Sequence, residues 1–166
     1  MPESFEYRHV VTLDETNQLG NVYFAHFLRW QGHCRELFLR ETAPEVVSSL
    51  DHEHALVTVR AQCDYLDELY SFDEVSVRMR VRDVVQNRMT LSFEYWRVTG
   101  REVLVARGEQ QLAWLRRTDD GFEPVPVPPA LLHAIDAYLA APVRTGWRAQ
   151  PRPAHTKRSV TDEEQT

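Results

Sequence analysis

The residues with the widest chemical scope are concentrated in one stretch, 14–40, DETNQLGNVYFAHFLRWQGHCRELFLR. A polar turn comes first. Asp14, Thr16, Asn17 and Asn21 can all bond local backbone, and Gly20 relieves a steric limit on the chain. Beyond it the apolar spacing becomes helical. A helix that starts here offers unpaired backbone N–H groups and a dipole that favours negative charge, the requirements of an oxyanion site. Asn17 stands just before it. Its amide can donate to an oxygen and accept from a water, but it does not titrate near neutrality, so it is neither a strong base nor a nucleophile. A simple turn-capping role for Asn17 stays open.

Arg35 lies further along the same helix, between Cys34, Leu37 and Phe38. A guanidinium in so apolar a run needs a partner. It can pair with Glu36 or Glu41 at a surface, or point into a cavity and hold a carboxylate or oxyanion. His26 and His33 are seven residues apart and face the same way. Either can act as a base, although packing or exposure explains both. Cys34 has no defined basic partner and reads as a packing residue. Glu36 is turned away from Arg35 by its place on the helix, and Asp14 and Glu15 read as turn or rim groups. His52 and His54 alternate with Asp51 and Glu53, but no third ligand is placed, so an exposed loop or strand start explains them better than a metal.

The elements that position these groups follow from periodicity. Residues 5–13 read as a first strand. Phe24, Phe27, Leu28, Gln31, Cys34, Leu37 and Phe38 predict a helix over about 22–40, broad enough in apolar cover to be buried on most sides. Residues 41–54 read as the exit from that helix and a connection. Four strand-like segments follow at about 55–67, 72–84, 88–99 and 102–117. In the second, Val75, Val77, Met79 and Val81 alternate with Ser76, Arg78, Arg80 and Arg82, a half-buried strand with a wet face. Gly100 sits in a hairpin turn. The prolines of 123–129 break the sheet, and a short helix runs from Ala130 to Leu139. The expected class is α+β, with a five-stranded antiparallel sheet around one long central helix.

Composition bounds the function. The chain has 166 residues, 43% of them hydrophobic, and a formal charge of -6. That fits one domain at 1–141, followed by a polar, flexible tail at 142–166. Acids and arginines are interspersed, so a nucleic-acid groove is not expected. No run of 18 apolar residues suggests a membrane span, and the start has no signal-peptide pattern. Cys34 and Cys63 are far apart, which favours a reducing, cytoplasmic setting. The motifs GxxxxGK[ST], GxGxxG and GxSxG are absent, and neither a cofactor nor a metal is expected.

The run YRHVVTLDETNQLGNVYFAHFLRW at 7–30 and the later YLDELYSFDEVSV at 65–77 resemble the hotdog-fold acyl thioesterases, in the 4-hydroxybenzoyl-CoA thioesterase-like branch. Within that branch, NQLGNVYFAHFLRWQGHCRELFLRE at 17–41 is similar to the thioesterases of enediyne polyketide biosynthesis. The resemblance spans about 5–140. The wider branch usually has an aspartate, acting as base or nucleophile, where this chain has Asn17. The enediyne subgroup has an asparagine there and an arginine that matches Arg35. The resemblance implies that the backbone amide of Phe24 polarises the thioester carbonyl. It also implies a dimer, often paired into a tetramer, with sites at the dimer interface. The implied substrate is a long polyene β-keto or β-hydroxy acyl chain on the carrier domain of an iterative polyketide synthase. In some members of the family a β-keto acid product then loses CO₂ to give a methyl ketone.

Both lines give one expected mechanism. The acyl chain enters an apolar channel beside the helix, lined by Tyr23, Phe24, Phe27 and Trp30. Water positioned by Asn17 or Arg35 attacks the carbonyl held at Phe24, and Arg35 stabilises the oxyanion or the product carboxylate. An acyl-CoA hydrolase of another pathway, a dehydratase and a noncatalytic acyl binder remain alternatives on the same fold.

Overall fold

The structure is a computed structural model and describes residues 4–50 and 52–140. The tail expected at 142–166 lies outside the described residues. The chain runs β1 (Phe5–Val10), a 3-10 turn (Leu13–Glu15), α1 (Ala25–Thr42), α2 (Pro44–Ser49), β2 (His54–Tyr65), β3 (Glu74–Val85), β4 (Arg88–Arg97), β5 (Val103–Thr118), β6 (Gly121–Pro124) and α3 (Pro129–Ala140). The sheet is antiparallel, in the order β1-β3-β4-β5-β2, and β6 pairs with the far end of β5. This is the hotdog fold, with α1 as its central helix. Three details differ from expectation. A sixth strand forms because Gly121–Pro124 pairs with Leu115–Thr118 before the prolines end the sheet. The connection after α1 contains a short helix of its own, started by Pro44 in its first turn. The central helix begins at Ala25, because Val22 is held by a bridge to Thr16 and donates to the Leu69 carbonyl.

α1 packs on the sheet through one face: Phe27, Trp30, Gln31, Cys34, Phe38 and Leu39, at helical spacing. Facing them are Tyr7 on β1, Val77 and Met79 on β3, Phe93 and Tyr95 on β4, and Leu112 on β5. Ala25, Arg29, Glu36 and Arg40 form an exposed stripe opposite, so the helix is covered on one face and its flanks, not all round. Burying each large apolar side chain of the covered face contributes about 1.5–3 kcal/mol. Polar bonds fix the register. The Tyr95 hydroxyl donates to the Phe27 carbonyl at 2.8 Å, and the Gln31 amide donates to the Gln62 carbonyl at 3.0 Å. Gly108 makes the second bond possible, since a Cβ there would lie 2.1 Å from Gln31 Nε2.

The turn before α1 is held by a residue that sequence reasoning placed at a rim. Glu15 is only 7% exposed. Its carboxylate accepts from the Thr12 N–H at 2.9 Å, the Trp30 indole at 3.0 Å and His9 Nε2 at 2.7 Å. Its backbone carbonyl also accepts from the Tyr23 N–H. One residue thus ties β1, the turn and the second turn of α1 to the chain entering the helix. Burial pushes the Glu15 carboxyl up, but the Thr12 amide, the His9 ring and the Trp30 indole outweigh it and hold the carboxyl below its ordinary value.

Two measurements check these contacts. Gly108→Ala displaces the Gln31 amide and should lower unfolding free energy by about 1–3 kcal/mol, the range for orphaning a buried hydrogen-bonding group; an unchanged denaturation midpoint refutes the close approach. Glu15→Gln should destabilise the fold at neutral pH. The folded carboxyl titrates below the unfolded value of 4.5, so its contribution is complete above that value. It is lost as pH falls through the folded value. Denaturation series from pH 7 to 3 should therefore show the gap between wild type and variant closing on acidification.

Candidate functional site

The turn ahead of α1 is shaped by its own polar groups. The Asn17 side-chain oxygen accepts from the Leu19 N–H at 2.8 Å, and the Gly20 N–H donates to the Asn17 carbonyl. Gly20 has φ +86°, where a side chain would be strained. Asn17 therefore does cap its turn, and its amide nitrogen makes no hydrogen bond among the described residues. Asn17, Asn21, Tyr23, Phe24, Phe27 and Tyr65 line a cleft of about 330 Å³ at the start of α1. Among the described residues, neither the Phe24 nor the Ala25 N–H donates to another group. The Tyr65 hydroxyl donates to the Phe24 carbonyl at 3.0 Å and so sets the first peptide of the helix. Sequence reasoning did not single out Tyr65. It sits at the end of β2, 41 residues away from Phe24, and only the sheet brings the two together.

Of the four aromatic residues expected along a channel, Tyr23, Phe24 and Phe27 line this cleft. Trp30 does not. Its ring is fully buried behind Phe27, at 5.2 Å between centroids, and its N–H is committed to Glu15. Trp30 therefore supports the wall and does not form its surface.

Arg35 is elsewhere. It lines a second and larger cavity, about 770 Å³, together with Tyr7, His33, Leu37, Val47 and Leu56 among others. One guanidinium nitrogen, Nη1, donates to Thr58 Oγ1 at 3.1 Å and Gln110 Oε1 at 3.2 Å. Nη2 lies 3.5 Å from Glu36. The Nε–H is buried with no partner among the described residues. Burial pulls the Arg35 pKa down and Glu36 partly restores it, and the group stays a cation at neutral pH. So of the two placements left open for Arg35, cavity and surface pair, it takes both: it contacts Glu36 and walls the cavity. Phe24 is about 16 Å away along the helix, at about 1.5 Å per residue, and Asn17 lies in the turn ahead of it. The structure gathers Asn17, Tyr23, Phe24 and Phe27 in one cleft and leaves Arg35 in another.

The remaining candidates sort readily. Cys34 is buried, which pushes its thiol well up, and it points at the Val77 carbonyl. His33 packs edge-on against Tyr7 on the wall of the Arg35 cavity. Burial, and then Arg29, lower its pKa. Glu36 is exposed. His54 begins β2 and packs against Trp114. On the outer face of the sheet, Arg78 is paired with Glu102 and stacked on Trp96, and Arg80 lies against Glu94. These arginines are neutralised by their neighbours.

Comparison with known proteins places this geometry. Residues 11–135 match the family model described as the Thioesterase-like superfamily. The chain is similar to the crystal structure of the dynemicin thioesterase, with a TM-score of 0.79 and 48% identity over 84% of this chain and 100% of that one. It is also similar to a 1,4-dihydroxy-2-naphthoyl-CoA hydrolase from Microcystis aeruginosa, 24% identical over 84% of this chain and 98% of the relative. A 1,4-dihydroxy-2-naphthoyl-CoA thioesterase from Synechocystis shares the fold, with a TM-score of 0.71 at 22% identity over 80% and 96% of the two chains. The fold, the cleft at the start of the central helix and the match over most of the chain have one explanation: the chain is a hotdog-fold enzyme and belongs to the thioesterase-like superfamily.

Proposed function

We propose that this thioesterase hydrolyses a long acyl thioester carried by the acyl carrier domain of a polyketide synthase, with Asn17, Arg35 and the Phe24 amide as its site groups. The observation that carries the reading is Arg35, a half-buried cation on the wall of a 770 Å³ cavity whose other walls are mostly apolar. Such a cavity suits a chain too long for the 330 Å³ cleft alone. The likeness to the dynemicin thioesterase, which binds a polyene, supports a polyene β-keto or β-hydroxy acyl group. When the released acid carries a β-keto group, loss of CO₂ leaves a methyl ketone.

The separation of Asn17 from Arg35 fits a dimer. β2 ends the sheet path and exposes Val57, Val59 and Tyr65 along its free edge. On this strand, Thr58 touches Arg35 and Tyr65 touches Phe24. A two-fold axis through the strand between them would pair β2 with its copy. That pairing exchanges the two ends, so each Arg35 faces the other chain's Asn17 and Phe24. The thioester carbonyl would then sit between the Phe24 amide of one chain and the Arg35 guanidinium of the other. Asn17 would hold the attacking water. The acyl chain would run into the cavity behind Arg35. Further pairing of dimers into a tetramer belongs to the same proposal, as does work in the cytoplasm.

A second reading, hydrolysis of a CoA thioester, is favoured by the relative that acts on 1,4-dihydroxy-2-naphthoyl-CoA. Presenting the same long acyl group on a carrier domain and on CoA separates the two. The carrier reading expects faster release of thiol from the carrier. Preference for CoA overturns it, and tight binding without thiol release would make the protein an acyl binder. Arg35→Ala should lower kcat by about 10²–10³-fold, the usual loss for one oxyanion donor. Co-expressed Asn17→Ala and Arg35→Ala chains should regain activity that neither has alone. Activity that stays lost in the mixture would place both residues in the service of a single chain.

A further inference from the structure

The groups assigned so far hold the carbonyl and the water but none accepts the water's proton. Asn17 and the Phe24 amide cannot, and Arg35 remains a cation. A chain of three hydrogen-bonded side chains leads from the buried core to the wall of the Arg35 cavity. Glu15 Oε2 lies 2.7 Å from His9 Nε2, and His9 Nδ1 lies 3.3 Å from the Tyr7 hydroxyl. Tyr7 in turn lines the cavity that holds Arg35. We propose that Tyr7, His9 and Glu15 form a proton relay that ends in this cavity and supplies the base for thioester hydrolysis. The proposal rests on the thioesterase reading above and adds the missing proton acceptor to that site.

The network itself assigns the tautomer. An ionised carboxylate only accepts, so His9 Nε2 carries the hydrogen directed at Glu15. Nδ1 is then the acceptor for the Tyr7 hydroxyl. Burial pushes the Tyr7 hydroxyl up to about 12, with Glu15 adding to the rise, so it keeps its proton at neutral pH and donates it to His9. The His9 ring is held between neighbours. It stacks on Tyr7 at 6.0 Å and 25°, and it leans on Trp30 at 5.1 Å. Glu15 is itself fixed by Trp30 and Thr12, so the ring has little freedom to turn away.

The step balances without any added reactant. The water oxygen bonds to the carbonyl carbon, and the carbonyl electron pair moves onto the oxygen facing Arg35. The water's proton passes to the Tyr7 oxygen as the Tyr7 proton passes to His9 Nδ1. Glu15 remains an anion and stabilises the imidazolium. The tetrahedral intermediate then collapses, the C–S bond breaks and the electron pair leaves on sulfur. The proton returns from His9 through Tyr7 to that sulfur, giving a free acid and a thiol. The relay assigns Tyr7 to the reacting water as the catalytic residue, from its place on the wall of the Arg35 cavity. His9 holds the proton, and Glu15 is a positioning residue.

The test uses the full chain and two thioesters of one decanoyl group, on a phosphopantetheinylated carrier domain and on N-acetylcysteamine. Tyr7→Phe removes one oxygen and keeps the ring. His9→Gln can still donate to Glu15 and accept from Tyr7 but cannot take up a proton. Each should lower kcat by about 10²-fold or more, within the range for general acid–base groups, and leave KM and thermal midpoint nearly unchanged. The double variant should be no slower than the worse single one, since one broken link stops the relay. A folded Tyr7→Phe or His9→Gln enzyme with near wild-type kcat overturns the relay. If Arg35→Ala loses activity in the same assays, the thioesterase reading stands without it. A wild-type chain that releases thiol from neither substrate removes both.

Discussion

The buried carboxylate of Glu15 is the contact on which the site end of the molecule depends. A charge taken out of water is tolerated only when its acceptor positions are filled, and here the donors come from three different elements. Thr12 closes the 3-10 turn, His9 reaches over from β1, and Trp30 reaches up from the second turn of α1. The bonds work in both directions. They remove the electrostatic penalty on Glu15, and Glu15 removes the penalty of a buried indole N–H and pairs a half-buried imidazole. The turn that carries Asn17 is therefore fixed from below, by core polar contacts, while its tip at Leu19 and Gly20 is open to solvent.

The sheet supplies the other half of the arrangement. β2 runs alongside α1 in the opposite sense, so its Tyr65 end serves the start of the helix and Thr58, inside the strand, serves the helix's middle. Tyr65 steadies the first helical peptide, and Thr58 steadies the guanidinium near the middle of α1. Because β2 is also an end of the sheet path, the strand that sets both groups of site residues has an unpaired edge among the described residues. The geometry of a single chain leaves the two groups apart, and the edge is where a second copy would reunite them.

Much of this was legible in the residues themselves. The alternation Val75, Val77, Met79, Val81 and the helical spacing from Phe27 to Phe38 are set by burial on one face, a local rule that a sequence shows directly. The Asn17 turn was legible for a similar reason, since turn residues and Gly20 act on their immediate neighbours. Tertiary partnership was not. Glu15 looks like any acid in a polar turn until its donors are known, although Thr12 three residues ahead is the pattern of a capping box and was the available signal. Trp30 has the spacing of a channel residue, but whether a ring walls a cavity or stands behind that wall depends on the neighbouring Phe27. The sixth strand escaped notice because Pro124 ends a strand here without preventing its pairing. Tyr65 and Tyr7 carried no sequence signal, because their hydroxyls matter through groups on other elements.

The close approach of Gln31 to Gly108 also limits how this protein can drift in sequence. The Gln31 amide occupies the space that a Cβ at position 108 would need. A larger residue at 108 displaces the Gln31 amide unless position 31 has already become smaller. A smaller residue at 31, arriving first, opens a void between α1 and β5 and strips the Gln62 carbonyl of its donor. Either order passes through a weakened intermediate. The two positions, from distant parts of the chain, are therefore coupled, and a change at one costs least when the other changes with it.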